Sequence, residues 1–298
     1  MNTLSDDPVG RFAPSPSGPL HFGSLVTAVA SYCDSKSRNG KWLLRIEDLD
    51  TPRVVKGATD NILKTLEAFG FEWDEGILYQ SQRFEIYQQA IQELIAQGLV
   101  YACHCSKKSL LKHGTNTGPL GQIYPGICQQ KNYPLNSSRL RLKTTISDSI
   151  KFTDRHFGTY SMNLKHQVGD ILIKRIDGIY AYHLAVVIDD SFQQINEIVR
   201  GSDLLEVSCV HLYLNQLLGL PDASYLHLPL AKNNDGQKLS KQTGAIGLDI
   251  KKASQQIHAA LTFLGQDTPQ ELMHYSVDEL LIYAIQNWDS SCIPAISK

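Results

Sequence analysis

The sequence predicts an α/β protein built on a doubly wound parallel sheet, with an inserted metal-binding subdomain and a short helical tail. Three observations predict it. Short apolar runs alternate with segments of helical periodicity through the first hundred residues, and a Pro/Ser/Gly-rich loop joins the first run to the first helix. A stretch rich in Gly, Pro, Asn and Ser then interrupts the alternation and carries three of the six cysteines. The 298 residues, 42% hydrophobic and 19% charged, suffice for a sizeable core, and at roughly 150 residues per domain they form one large domain or two smaller ones. Disorder and fibrous structure are excluded, and a net charge of -2 excludes both an acidic solvating tail and a cationic coat. The N-terminus has neither a basic nor an apolar signal region, and no apolar run approaches the roughly 18 residues of a spanning helix, so a cytoplasmic protein without membrane contact is expected.

Val9 to Ala13 reads as a strand, followed by the loop Pro14-Ser15-Pro16-Ser17-Gly18-Pro19. Leu25, Val26, Val29, Tyr32 and Cys33 then recur at helical spacing, and Asn39-Gly40 is a fitting helix stop. Trp42 to Ile46 is a second strand, and Ile62, Leu63, Leu66 and Phe69 mark a helix closed by Gly70. Ser81 is a candidate cap for a helix through Tyr87, Ile91 and Leu94 that ends at Gly98. Beyond the irregular stretch from about 101 to 154, Ile171 to Arg175 and Ile179 to Ile188 read as strands of a hairpin turned at Asp177-Gly178. Asp203 opens a helix running to Gly219, Tyr225 to Leu230 is a last strand, and a polar loop and a mostly helical tail follow. The expected units are 1–100 and 166–242, two halves of one nucleotide-binding domain, with a zinc-binding insertion at 101–165 and a helical tail at 243–298.

Two loops carry phosphate chemistry. His21-Phe22-Gly23-Ser24 lies between the first strand and first helix, where a doubly wound sheet binds its ligands. Gly23 permits close approach of a nucleotide, the helix N-terminus favours anionic phosphate, and His21 is a hydrogen-bond donor to a phosphoryl oxygen. Lys238-Leu239-Ser240-Lys241-Gln242 follows the last strand, and its two lysines can neutralise charge developing on a triphosphate.

In chain order these motifs resemble the class I glutamyl and glutaminyl tRNA synthetases. Arg11 to Ser24 looks like the opening of that family, with His21 to Ser24 standing for its HIGH signature. Leu43 to Arg53 matches the next block, and Lys238 to Gln242 matches KMSKS with Leu for Met and Gln for the last Ser. The resemblance implies a Rossmann-type fold, catalysis by His21, Lys238 and Lys241, and ATP bound with Mg2+ by His21, Gly23, Ser24, Lys238, Ser240 and Lys241. It also implies that Arg11 and Arg200 hold the side-chain carboxylate of L-glutamate, that Glu47 holds its amino group, and that Tyr182 and the backbone of Arg11, Phe12, Ala13, Pro14 and Ser15 complete the pocket. Arginine at position 200 favours a carboxylate over an uncharged amide, hence glutamate over glutamine. Each residue also has a plainer structural reading: Glu47 as the partner of Arg45 or Arg53, Tyr182 as a core aromatic, Arg200 as the cap of a turn.

Cys103, His104, Cys105 and Cys128, with Tyr124 four residues before the last, suit zinc better than a hard cation. The spacing leaves the fourth ligand open between Tyr124, His104 and His113. Similarity to the truncated members of the family points to Cys103, Cys105, Tyr124 and Cys128, holding one structural zinc per chain.

Beyond Gln242 only 56 residues remain, net acidic, which leaves no room for a separate anticodon-reading module. The region from Lys131 to Arg175 carries nine basic residues against three aspartates, a candidate surface for RNA phosphates. A synthetase core of this length resembles the glutamyl-queuosine tRNA(Asp) synthetases, monomers that form glutamyl-adenylate without tRNA and attach glutamate to queuosine in the anticodon of tRNA(Asp). The acceptor is implied by that resemblance alone. The alternatives are a minimal glutamyl-tRNA synthetase charging the 3' end of tRNA(Glu), a catalytically silent RNA-binding paralogue, and a general nucleotidyltransferase.

Overall fold

A computed structural model describes residues 7–112, 116–145, 149–231 and 246–295. The chain begins with β1 (Val9–Phe12), α1 (Phe22–Lys36), β2 (Lys41–Ile46), α2 (Ala58–Ala68), β3 (Leu78–Tyr79) and α3 (Phe84–Ala96). The inserted region holds β4 (Val100–Cys103), α4 (Lys107–Lys112), β5 (Thr117–Gly118), β6 (Gly121–Gln122) and β7 (Arg139–Leu142). Then come β8 (Ile150–Asp154), β9 (Gly158–Met162), α5 (Leu164–Gln167), β10 (Ile171–Lys174), α6 (Tyr182–Phe192), β11 (Glu197–Gly201), α7 (Leu205–Leu218) and β12 (Ser224–Leu228). The described tail contributes α8 (Ala253–Phe263) and α9 (Val277–Gln286).

Seven strands form the main sheet in the order β3-β2-β1-β11-β12-β8-β9, parallel except for β9, which runs back antiparallel to β8. Strand alternation sends neighbouring side chains to opposite faces. Trp42 and Leu44 join the core on the side of α1, α2, α8 and α9, whereas Leu43 joins the core on the side of α3, α6 and α7. Gly10 permits the tight seat of α1 on β1, because a Cβ there would lie 2.2 Å from Ser35 Oγ. The tail is part of this core: Ile257, Leu261 and Leu280 are buried with Val29 and Leu66.

Three expectations are corrected. Ile179 to Ile188 is not a strand: the turn at Asp177-Gly178 forms, but the return is one bridge, Lys174 to Tyr180, before α6 begins at Tyr182. A helix buried on nearly every side shows no amphipathic period, so its β-branched run mimics a strand. Ser81 does not cap α3; its amide and hydroxyl both donate to Asp48, at 2.8 and 2.7 Å, and Arg83 occupies the cap position. Strand pairing also cuts across the expected break at residue 165. The hairpin β8–β9 extends the large sheet, while β10 closes a three-stranded sheet, β10-β7-β4, with strands from the insertion. That placement buries Ile150 and Ile171 in one cluster. No helix among the described residues is long and apolar enough to cross a membrane.

Candidate active site

Strands β1, β2, β11 and β12 all end on one edge of the sheet, and β1 lies between β2 and β11. The chain leaves β1 toward β2 on one side, while β11 flanks it on the other, so the topology opens a crevice at their carboxyl ends. Arg11 and Arg200 are the next-to-last residues of β1 and β11, Glu47 follows β2 directly, and Tyr182 is the first residue of α6. The fold therefore brings the four distant pocket candidates to one place.

Arg11, Arg45, Glu47 and Asp190 form a buried, charge-balanced quartet. Asp190 Oδ1 accepts from Arg11 Nε at 3.1 Å and from Arg45 Nη1 at 2.7 Å, and Arg45 Nη2 reaches Glu47 Oε1 at 3.3 Å. Burial pushes the Asp190 carboxyl up, but Arg11 and Arg45 outweigh it and hold it below the usual range. Glu47 is pushed up by burial, against the opposing pull of Arg45 and Arg11. Glu47 thus does pair with Arg45, whereas Arg53 pairs with Asp50 instead.

Arg200, 4% exposed, is held differently. Its Nε donates to His227 Nε2 at 3.1 Å, Nη1 lies 3.3 Å from His211 Nδ1, and Nη2 donates to Leu204 O and Ser208 Oγ at 3.2 and 2.8 Å. These acceptors are neutral, and among the described residues no carboxylate pairs with Arg200. Burial, and then the charge of Arg200, depresses the neighbouring His183 to about 4 and His211 well below its ordinary value, so both rings are neutral near pH 7. Tyr182 packs against both rings, and burial raises its hydroxyl to about 12. Arg200 is thus a buried cation whose hydrogen-bond partners among the described residues are all neutral.

His21 is the N-cap of α1: its Nδ1 accepts from Ser24 N–H at 3.3 Å, and Ser24 Oγ accepts from His21 N–H at 3.5 Å. An accepting Nδ1 puts the proton of the neutral ring on Nε2. His21 thus closes the first turn of α1 with one ring nitrogen and leaves the other as a donor. Lys238, Leu239, Ser240, Lys241 and Gln242 lie outside the described residues. Their described flanks lead to the same edge: β12 ends at Leu228, and beyond the gap Gly247 bridges to His21 while Leu248 N–H donates to Leu20 O at 2.9 Å.

Among the remaining pocket candidates, Phe12 points away from the crevice and stacks on Trp42, so only its backbone can contribute. Pro14 O accepts from Glu47 N–H at 3.0 Å and ties the first loop to β2. Ser15, Glu47, Tyr182 and His183 line a cavity of about 370 Å3, and the buried Arg11 and Arg200 are not among its lining residues. Its far wall is made by Arg141, Asp170 and Arg175 of the small sheet and its turn. Of the nine basic residues from Lys131 to Arg175, three arginines are engaged within the fold: Arg155 pairs with Asp34 and Glu197, Arg175 with Asp50 and Asp177, and Arg141 with Asp170 O and the Tyr124 ring.

Cys103, Cys105 and Cys128 bring their sulfurs within 4.8 Å of one another. The Tyr124 hydroxyl lies 3.2 Å from Cys103 Sγ and 3.6 Å from Cys105 Sγ, and accepts from Cys128 N–H at 3.1 Å. Gly169 makes this possible, because a Cβ there would fall 2.1 Å from Tyr124 O. Burial pushes the Cys128 thiol up, yet the Tyr124 hydroxyl and the His104 amide outweigh it and bring it down to about 7. Three soft donors with an adjacent phenol, one thiol already easily ionised, fit a zinc ion. His104 is exposed, stacks on Tyr133 and meets Ser138 Oγ at 3.0 Å. His113 lies outside the described residues.

Sequence reasoning missed Asp190, Asp154, His211, His227 and Ser208. Signals existed: an Asp189-Asp190 pair inside an apolar run, and a histidine in the strand Ser224–Leu228, are both costly to bury without a purpose.

A family model described as the catalytic domain of class I tRNA synthetases (E and Q) matches residues 9–264. A glutamyl-Q tRNA(Asp) synthetase of Dechloromonas aromatica (strain RCB) is 46% identical over 287 residues, covering 96% of this chain and 95% of the relative. That of Shewanella oneidensis is 48% identical over 286 residues, covering 96% and 92%. The crystal structure of a glutamate-tRNA synthetase from Elizabethkingia anophelis superposes with a TM-score of 0.80 at 24% identity, over 98% of this chain and 67% of that one, and shares its fold. The chain belongs to the class I tRNA synthetase family of the glutamyl and glutaminyl type, a family of ligases, and its near-full-length relatives are glutamyl-Q tRNA(Asp) synthetases.

Proposed function

We propose that the protein activates L-glutamate with ATP to glutamyl-adenylate without tRNA, and transfers the glutamyl group to the queuosine base in the anticodon of tRNA(Asp). The observation that carries the amino acid choice is the isolated charge of Arg200. Arg11 already shares Asp190 with Arg45, so the cation left for an incoming side-chain carboxylate is Arg200, held entirely by neutral partners. An amide in its place would leave that charge buried and uncompensated. Glu47 takes the substrate ammonium, Tyr182 and the backbone from Arg11 to Ser15 close the pocket, and the α-carboxylate points toward the N-terminus of α1.

In the first step an α-carboxylate oxygen attacks the α-phosphorus of ATP in line, and pyrophosphate leaves with Mg2+. His21 Nε2–H, with Gly23 and Ser24 at the helix N-terminus, steadies the phosphates from one side. Lys238, Ser240 and Lys241 act from the other, reached through a segment whose flank is bonded to His21. In the second step a hydroxyl of the queuosine cyclopentene ring attacks the activated carbonyl and AMP departs. The cavity between Glu47 and the small sheet leaves room for that acceptor. Cys103, Cys105, Cys128 and Tyr124 hold one zinc ion, which supplies structural cross-linking of the insertion beside that cavity.

The acceptor rests on the names of the relatives, and the competing reading is a minimal enzyme charging tRNA(Glu). The deciding experiment has two parts. Zinc-replete protein should exchange pyrophosphate with glutamate and ATP alone, and far less with glutamine. Labelled glutamate should then load tRNA(Asp) that carries queuosine and neither tRNA(Asp) lacking it nor tRNA(Glu). Exchange that strictly requires tRNA, or loading of tRNA(Glu), would overturn the proposal.

A further inference from the structure

Arg200 is the terminus of a buried chain that crosses three adjacent strands. Asp154 on β8, His227 on β12 and Arg200 on β11 stand side by side, with Arg200 in register with His227 and Asp154 with Tyr225. Asp154 Oδ2 lies 2.6 Å from His227 Nδ1, and His227 Nε2 accepts from Arg200 Nε at 3.1 Å. Asp154 and His227 are respectively 1% and 0% exposed.

We propose that His227 and Asp154 are positioning residues for amino acid recognition: Asp154 selects the His227 tautomer that accepts from Arg200 and so aims its guanidinium at the substrate side-chain carboxylate. The inference rests on the reading above that Arg200 is the carboxylate ligand.

The proton count supports it. Arg200 is a donor at all five N–H positions, so whatever faces its Nε must present a lone pair. A histidine does so at Nε2 only when Nδ1 carries the proton, and the carboxylate beside Nδ1 favours that form. The opposite tautomer, or the doubly protonated ring, would set N–H against N–H. Asp154 is itself anchored by hydrogen bonds: Oδ1 accepts from the amides of His156 and Phe157 at 3.0 and 2.9 Å, and Oδ2 also accepts from His227 N–H at 3.1 Å. Ser208 Oγ lies 2.8 Å from Arg200 Nη2 and 3.2 Å from His227 Nε2 and braces the same corner. Ser208, His227 and Asp154 have the composition of a hydrolytic triad, but all three are sealed, and the serine hydroxyl is taken up by Arg200 and Leu204 O. Recognition at β11 therefore depends on β8, the strand that the hairpin adds at the far side of β12.

The test is glutamate-dependent pyrophosphate exchange with zinc-replete full-length protein, comparing H227L, H227Q, D154N and R200Q with the parent. H227L removes the lone pair and should raise the glutamate KM about 10-fold or more, leave the ATP KM within about twofold, and narrow the preference for glutamate over glutamine. H227Q carries an amide oxygen near the Nε2 position and should stay within about threefold. D154N turns an amide toward Nδ1, favours the wrong tautomer and should follow H227L. R200Q separates the two layers of the argument. If R200Q raises the glutamate KM but folded H227L and D154N do not, the relay is overturned and the carboxylate reading stands. If R200Q itself leaves the glutamate KM unchanged, the reading falls and takes the relay with it. Should H227L fail to fold, a D154N variant with a parental glutamate KM overturns the relay by itself.

Discussion

Arg11 Nε and Arg45 Nη1 converge on the same atom, Asp190 Oδ1, at 3.1 and 2.7 Å. One carboxylate from the last turn of α6 thus fixes side chains on two neighbouring strands, with Glu47 as the second anion of the quartet. Asp190→Asn would leave two buried guanidiniums facing one carboxylate. Breaking a buried pair by removing one partner typically costs about 3–5 kcal/mol, and a loss of that order is expected in urea unfolding of D190N. A loss below about 1 kcal/mol would mean that water reaches the quartet and that it does not organise the pocket.

Glu47 carries a pH prediction. Burial holds its carboxyl above the ordinary glutamate value despite Arg45 and Arg11. Only the ionised form attracts the substrate ammonium, and its fraction falls as pH drops through a raised pKa. The glutamate KM should therefore climb on the acid side at a higher pH than an ordinary glutamate, near 4.3, would dictate. E47Q should raise the glutamate KM about 10-fold or more at neutral pH and abolish that acid limb, with the ATP KM little changed. An E47Q profile that keeps the acid limb would assign the titration to another group.

The first half of the sheet was legible because its signals are local. Apolar runs are separated by stops of defined chemistry, such as Asn39, which takes φ 56 where the chain leaves α1. Arg11 and Glu47 lie inside the blocks that resemble the family and Arg200 is implied by that resemblance alone; the sheet brings all three to one edge. What was missed is non-local. The Asp154 to His227 contact spans 73 residues, and the pairing of β10 with β7 reassigns strands across a boundary drawn from composition. Helix α6 was misread because burial on both sides erases the period that distinguishes a helix from a strand.

The cysteine cluster predicts a measurable metal. Purified protein should contain about one zinc per chain, and C105S and C128S should each lose most of it. Removing the zinc by chelation should lower the thermal midpoint and expose the three thiols of Cys103, Cys105 and Cys128 to a thiol reagent. Y124F tests the fourth donor separately: it keeps the ring under Arg141 but removes the oxygen next to the sulfurs. Retention of zinc with clearly weakened affinity is expected, whereas unchanged affinity would give the fourth position to another group.

His21 has two roles that substitution can separate. Its Nδ1 caps α1 through Ser24 N–H, and its Nε2 proton is the group proposed to meet phosphate. H21A should lose both: about 1 kcal/mol of stability from the missing cap, and exchange activity. Asparagine also accepts a hydrogen bond at an N-cap, with its oxygen near the position of Nδ1, but has nothing at the position of Nε2. H21N should therefore unfold with nearly the parental midpoint while glutamate-dependent exchange falls at least 100-fold, a loss of about 2.7 kcal/mol in transition-state binding. If H21N retained exchange and only H21A lost it, His21 would be a cap alone, and phosphate stabilisation on this side would belong to the α1 N-terminus itself.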